Sequence, residues 1–396
     1  MAGDKPENQQ SVARDVDDIQ ANTTQNGGQP GDAVGDEAAI YTASQWTLMR
    51  LKFRKHKLAV IAGVFIILLY LTALFCEFIA PYPLDHRDVT YSYAPPQRVR
   101  LFDKSGLHRP FVYPLVGWRE SESLRKMYVE EKSRRLPIKL FVRGVPYRMW
   151  GLFETDIHLF GVEEGGTVFL LGTDRLGRDM LSRIIYGARI SLTIGLIGVA
   201  LSFVLGLIIG SISGFYGGWI DHFIQRGIEI LRSFPPIPLW MALSAALPET
   251  WSPIQIYLAI TVVLSLINWT GLARVVRGKI LSLREEDFAM AAILSGASEW
   301  RVMTRHLLPS FLSHIIVSLT LAIPRMILGE TGLSFLGLGL RPPITSWGVL
   351  LKEAQNVQAL ALHPWLLTPV LFVIITVLSF NFVGDGMRDA ADPYSR

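Results

Sequence analysis

Residues 58–80 read LAVIAGVFIILLYLTALFCEFIA, an apolar run carrying a single charge, Glu77. A hydrocarbon core about 30 Å thick is crossed by about 20 apolar residues in a helix. Within lipid every backbone polar group must be satisfied internally, so one isolated run can cross only as a helix. Arg50, Lys52, Arg54, Lys55 and Lys57 stand immediately before it. A basic cluster of this kind stays on the cytoplasmic side, which predicts an uncleaved first span running outward.

Five more candidate spans follow, at about 189–213, 223–247, 254–274, 312–335 and 365–384. Six crossings return the C-terminal segment 386–396 to the cytoplasm and predict an all-α polytopic membrane protein. Composition agrees: the chain is 50% apolar and only 18% charged, against about 25% charge in soluble domains. The lone cysteine, Cys76, lies in an apolar run and excludes an intrachain disulfide framework. With no Cys/His cluster at zinc-ligand spacing, no metal, no cofactor and no nucleic-acid partner are expected.

Residues 1–44 differ from the rest. They hold Asp4, Glu7, Asp15, Asp17, Asp18, Asp32, Asp36 and Glu37 against Lys5 and Arg14. Such a segment buries too little surface to offset chain entropy and is expected to be a disordered cytoplasmic tail. It is acidic and precedes the first apolar run, so it does not read as a signal peptide. Residues 45–80 then form the basic flank and first span. The order of spans places 81–170 outside, where a long segment is translocated regardless of its charge. There YSYAPPQRVRLFD, RPFVYPLVGW, IKLFVRGV and GGTVFLLG read as short strands broken by Pro and Gly, predicting a small β-rich extracytoplasmic insert.

Two spans are irregular. The third contains Pro235, Pro236 and Pro238, and the fifth contains Pro324 followed by Arg325. Proline removes a backbone donor and kinks a helix, which membrane bundles tolerate where neighbours or water satisfy the freed carbonyls. Charges at membrane depth are costly and usually functional. Pro235, Pro236, Pro324, Arg325 and Glu330 are therefore the candidate pathway or gate residues. Glu330 has two open readings, a lining of the outer gate or a partner for a neighbouring helix. Arg226 and Glu229, three apart, suit a structural pair on one helix face. Asp174 and Asp179 in GTDRLGRD lack a nearby His or metal cluster, so an interfacial helix with local Asp–Arg pairing is the expectation, not a hydrolytic site.

Residues 275–311 fall on the cytoplasmic side between spans four and five, and a loop this long is rarely structureless. Glu285, Glu286 and Asp287 favour a helix N-terminus, Gly296 suits a C-terminal cap, Ser298 an N-cap, and Pro309 the corner into span five. The pattern is helix, glycine turn, helix, with small residues at the bend. It reads either as a knob for a partner's groove or as a cover for the helix ends. No Gly-x-x-x-x-Gly-Lys-Ser/Thr occurs, so the chain has no phosphate cradle for ATP hydrolysis.

The segment Ala291-Ala292-x-x-x-Gly296 followed by Leu308-Pro309 resembles the Glu-Ala-Ala loop of ABC-importer permeases. LGTDRLGRDMLSRIIYGARISL (171–192), GFYGGWID (214–221), GASEWRVMTRHLLP (296–309), GETGLSFLGLGLRPP (329–343) and GDGMRDAADP (384–393) are similar to the C-type permease subunits of oligopeptide, dipeptide and nickel importers. The likeness covers roughly 45–80 and 168–394. It implies type I importer architecture over a core at 187–385, with a second permease subunit, two ABC ATPase subunits, an extracytoplasmic substrate-binding protein, membrane lipid and a peptide-like substrate as partners. It also implies that residues 286–298 form the coupling helix. The docking residues would then be Glu286, Asp287, Ala291, Ala292, Gly296, Ala297, Ser298, Arg301, Leu308 and Pro309. Met290 stands where the pattern has Glu, with Glu286 or Asp287 about one turn earlier as its substitute. The segment 81–167 is longer than in plain dipeptide members. The rivals are an ion-coupled secondary transporter, which would show internal repeats and midplane carboxylates, and an intramembrane enzyme, which needs paired catalytic groups in the spans.

Overall fold

The computed structural model describes residues 45–391, apart from 104–105, 122–124, 164 and 249. The expected acidic tail at 1–44 and the last five residues of the C-terminal segment lie outside the described residues. Contacts divide the chain at His56 and again at Arg388. The described part of the smaller unit includes α1 (Gln45–Lys55), with Lys52, Arg54 and Lys55 in its last turn. Basic side chains there suit the negative end of the helix dipole.

The larger unit begins with α2 (Lys57–Leu74) and a single turn, α3 (Cys76–Ile79). The insert follows, with β1 (Arg100–Asp103), β2 (Gly106–Val112), β3 (Leu115–Arg119), β4 (Lys126–Glu130), β5 (Leu136–Pro137), β6 (Lys139–Met149) and β7 (Phe153–Gly161). These make three small antiparallel sheets, β1-β2-β5, β3-β4 and β6-β7. GGTVFLLG, expected as a strand, is not one. Two of its N–H groups are satisfied by side chains instead: Val168 N donates to Tyr82 Oη at 2.9 Å and Phe169 N to Gln97 Oε1 at 2.5 Å. Buried Val168 and Phe169 then close the insert's two small cores against Val112, Leu136, Ala94 and Leu115.

The helical core comprises α4 (Met180–Tyr216), α5 (Gly218–Ser233), α6 (Pro236–Ala245) and α7 (Pro253–Leu283). Past α7 come α8 (Asp287–Leu294), α9 (Glu299–Arg301), a π-helical turn at Val302–Leu307 and α10 (Leu308–Ser310). Finally α11 (Leu312–Phe335), α12 (Trp347–Glu353), α13 (Val357–Leu362) and α14 (Thr368–Ala391) complete it. Five helices among the described residues are long and apolar enough to cross a membrane.

The third expected span, 223–247, is not continuous. Phe234 has ψ 135 and Pro235 ψ 130, because a residue preceding proline is pushed out of the α region. The prolines therefore separate two helices rather than kink one, and the 10 residues of α6 rise only about 15 Å. Pro324, in contrast, lies buried inside an unbroken α11, whose bounds match the expected 312–335.

Close packing of α4 on α7 organises the core. Gly206, Gly210 and Gly214 recur every four residues along one face of α4, and a Cβ at Gly210 would sit 2.5 Å from the Ala273 carbonyl oxygen. Small residues at this spacing let membrane helices approach closely. Ile194 and Val199 of α4 meet Ile260 and Leu264 of α7 and Met326 and Leu333 of α11. A second cluster joins Leu69 and Ala73 of α2, Leu192 of α4, Trp347 of α12 and Phe380 of α14.

Candidate functional site

The loop after α7 has a buried underside. Arg284 Nη1 donates to the Phe215 carbonyl at the end of α4 at 3.0 Å, tying the loop's root to that helix. Ala289 of α8 and Val302, Met303 and Leu307 of the second arm are buried against Val276 and Ile280 of α7 and Ile315 of α11. Burying one such aliphatic side chain stabilises by about 1.5–3 kcal/mol, so the arm is held as a rigid piece.

The bend is a glycine cap. Ala297 N donates to Ala292 O at 3.1 Å and Gly296 N to Ile293 O at 2.9 Å. Gly296 has φ +81. This pair of bonds with a left-handed residue is a Schellman cap, which satisfies the last carbonyls of a helix. Glu286 occupies the N-cap position of α8 and Ser298 that of α9, yet neither side chain caps. The acids at the start of α8 favour it through the helix dipole, and Glu285 also lies 3.8 Å from Arg284 Nη2.

The upper face is apolar and exposed. Phe288, Met290, Ile293 and Leu294 of α8 and Trp300 of α9 all point to solvent, with Leu294 at 84% exposure. Glu286, Asp287, Ala291, Gly296, Ser298, Arg301 and Pro309 are exposed around this ridge, and Ala292, Ala297 and Leu308 are half-buried beneath it. The sequence-derived docking set is thus brought together on one surface. The ridge residues were missed, although their helical spacing was legible; nothing in the sequence said they would lack a cover. Met290 belongs to that ridge. The Leu294-Ser295-Gly296 triplet is the end of the helix, with Ser295 Oγ donating to Ala291 O at 2.7 Å.

The pathway candidates do not converge. Glu330 is 0% exposed. It accepts hydrogen bonds from Ser191 Oγ of α4 at 3.2 Å, Ser334 Oγ at 2.7 Å and Ser346 Oγ at 2.6 Å. Of its two readings the structure favours the partner role, a carboxylate joining α4, α11 and the start of α12 rather than one lining an opening. Pro235 and Pro236 are exposed at the α5–α6 break. Arg325 does line a cavity of about 270 Å³ between α4, α7 and α11, with Ser202, Asn268 and Ser318 as its polar neighbours.

Asp174 and Asp179 lie in a turn, not in the expected interfacial helix. Asp174 Oδ1 accepts from Leu176 N at 2.7 Å and Arg178 N at 2.9 Å, which curls the backbone back on itself before a helix can start. Its Oδ2 pairs with Arg178 Nε and Arg183 Nη1, both at 2.6 Å. Arg183 in turn reaches Glu353 Oε2 at 2.5 Å and Oε1 at 2.8 Å. Burial alone would raise the Glu353 carboxyl, but Arg183 and Arg178 outweigh it and hold the carboxyl below its usual range. Asp179 caps α4, accepting from Ser182 N and Ser182 Oγ at 2.7 Å. Burial pushes its carboxyl up to about 7 against those hydrogen bonds. Arg226 and Glu229 pair at 2.9 Å on the exposed face of α5.

Residues 206–396 match the family described as binding-protein-dependent transport system inner membrane component, and residues 44–96 match the N-terminal transmembrane domain of oligopeptide transport permease C. The chain is 42% identical over 226 residues to the oligopeptide transport system permease OppC of Haemophilus influenzae, covering 57% of this chain and 70% of that one. It is 38% identical over 226 residues to the dipeptide permease DppC of Bacillus subtilis, covering 57% and 68%. Against the glutathione permease GsiD of Pectobacterium atrosepticum it is 37% identical over 250 residues, covering 63% and 79%. An inward-facing structure of the MetNI methionine ABC transporter overlaps 54% of this chain and 98% of that chain at a TM-score of 0.44 and 19% identity, too loose a likeness to build on. The chain belongs to the binding-protein-dependent transport system inner membrane components: it is a non-catalytic, multi-pass permease subunit of an ABC importer, in which ATP is hydrolysed by a separate subunit and ion-coupled secondary transport has no part.

Proposed function

We propose that this chain forms half of the translocation pathway of an importer for short peptides or related solutes, and that it docks an ATPase subunit through the ridge on α8. The observation that carries this is the two-sided loop: an apolar upper face open to solvent on a piece whose underside is locked into the helical core. A short helix gripped by a partner and rigidly seated on α7 and α11 transmits that partner's movement as a lever. The oligopeptide, dipeptide and glutathione permeases among its relatives support the substrate class. Arg325, in the cavity between α4, α7 and α11, is the pathway residue this reading favours, since an arginine at membrane depth is functional by default. The full assembly pairs this chain with a different permease, two ATPase subunits and an extracytoplasmic binding protein. The basic residues before α2 keep the N-terminus cytoplasmic, which puts residues 284–311 inside and the insert outside.

Gly296→Glu tests the docking claim. A side chain at φ +81 costs about 1–2 kcal/mol of local strain and loosens the cap that orients α8, while the membrane helices are untouched. The expected result is normal membrane insertion with ATPase activity uncoupled from uptake. Normal uptake by this variant would refute the docking role.

A further inference from the structure

We propose that the β6–β7 hairpin is a membrane-interface anchor, its tip seated in the headgroup region of the bilayer that α2 spans. The argument begins on α2. Ile61, Val64, Ile67, Leu68, Leu71 and Leu74 are exposed at helical spacing, while Ala59, Ala62, Leu69 and Ala73 on the opposite side are buried. The exposed stripe faces lipid and stops at Leu74, where the helix ends.

The hairpin meets α2 at that end. Trp150, in the β6–β7 turn, donates its indole Nε1–H to the Leu74 carbonyl at 2.8 Å. Its ring lies 5.7 Å from that of Phe75, and Phe141 of β6 lies 6.1 Å from Phe78 of α3. Next to Trp150 at the tip, Leu152 is 75% and Phe153 62% exposed, and on the same hairpin Leu140 and Phe141 are exposed as well. The lipid-facing stripe of α2 is therefore continued by an apolar hairpin tip bonded to its last carbonyl. Indole and aromatic side chains are enriched where one end must be apolar and the other wet. Arg143 and Arg148, set back from the tip, are exposed and pair across the hairpin with Asp156 and Glu154, as suits a headgroup layer.

Trp150 has φ +51 and Phe141 φ +55, a left-handed conformation that is unusual for bulky residues and persists only where surroundings impose it. Both are the residues whose rings contact the end of the first span. Tyr93, outside the hairpin, shares this conformation at φ +55, and Trp150 adopts it together with Gly151 in the tight turn closed by Leu152 N donating to Met149 O at 2.9 Å.

The test uses the full-length chain with Cys76→Ser, purified with its co-eluting subunits and placed in lipid nanodiscs. A nitrobenzoxadiazole probe is attached at Leu152→Cys, at Phe153→Cys, and at Lys132→Cys in the charged β4–β5 turn. Nanodiscs carrying nitroxide on the lipid near the headgroup should extinguish most of the emission at 152 and 153, with a blue shift, and leave 132 unchanged. No lipid quenching at either tip position overturns the proposal. So does quenching at the tip by a water-soluble nitroxide alone, or shielding of the tip that appears only when a substrate-binding protein is added.

Discussion

Asp174, Arg178, Arg183 and Glu353 are charged groups taken out of water and paired with one another, whereas Phe288, Ile293, Leu294 and Trp300 are apolar groups left in it. Each arrangement is costly for a chain standing alone. In the first region the cost is offset internally, since every carboxylate meets an arginine and the surrounding backbone supplies further donors. In the second, nothing within the described residues covers the apolar face. A network whose carboxylates are each paired with arginine serves the fold. An uncovered ridge on a rigid base is the feature that the proposed ATPase docking would cover. Residue type alone would have suggested the reverse assignment, with carboxylates as active groups and leucines as core.

The sharpest way to break this contrast is Arg183→Met. It leaves Asp174 and Glu353 desolvated with one fewer cation, and removing one member of a buried ion pair costs about 3–5 kcal/mol. The expected result is a clear fall in thermal midpoint and in the yield of folded protein, with uptake per folded molecule unchanged. A stable variant that has lost transport would move the network from the fold to the pathway. Next in size is Leu294→Asp. It places a charge at the centre of the ridge, and losing a hot-spot residue costs about 2 kcal/mol of binding, or roughly 30-fold in ATPase affinity. Titration of the ATPase subunit onto the reconstituted permease reads this directly, and the thermal midpoint should not move. Unchanged affinity would leave the ridge without a purpose. The smallest effect belongs to Arg226→Ala. An exposed pair at this spacing is worth about 0.2–0.5 kcal/mol, so neither midpoint nor uptake should change measurably. A large loss in either would show that α5 meets a partner or substrate in the assembly.

Much of the helical scaffold was legible because its signals are local. Span five coincides with α11, since an apolar run of that length has one way to cross lipid. Gly296 was recognised as a cap because a left-handed residue is demanded there and glycine supplies it. The third span misled because its mean apolarity outweighed Pro235 and Pro236, whose steric effect on the preceding residue ends a helix rather than bending it. GTDRLGRD misled for a different reason: its aspartates bond to nearby backbone, Asp174 also pairs with Arg178 and Arg183, and those arginines reach Glu353 far along the chain, so no periodicity announces the fold of that turn. The relevance of Gly206, Gly210 and Gly214 went unnoticed for the same cause, since the meaning of a small residue lies in what approaches it.

The amino-acid sequence by itself determined that this chain crosses a membrane several times, that a compact loop interrupts its later spans, and that its relatives are permeases. Those conclusions rest on lipid thickness, helix caps and ordered motifs, all of which act over a few residues. Only the tertiary structure decided which apolar side chains are core and which are left open. It also decided that Glu330 is bound by three hydroxyls, and that a hairpin from the insert ends at the carbonyl of Leu74. Burial is a relation between segments distant in sequence, and the same leucine is core or contact surface according to what packs upon it.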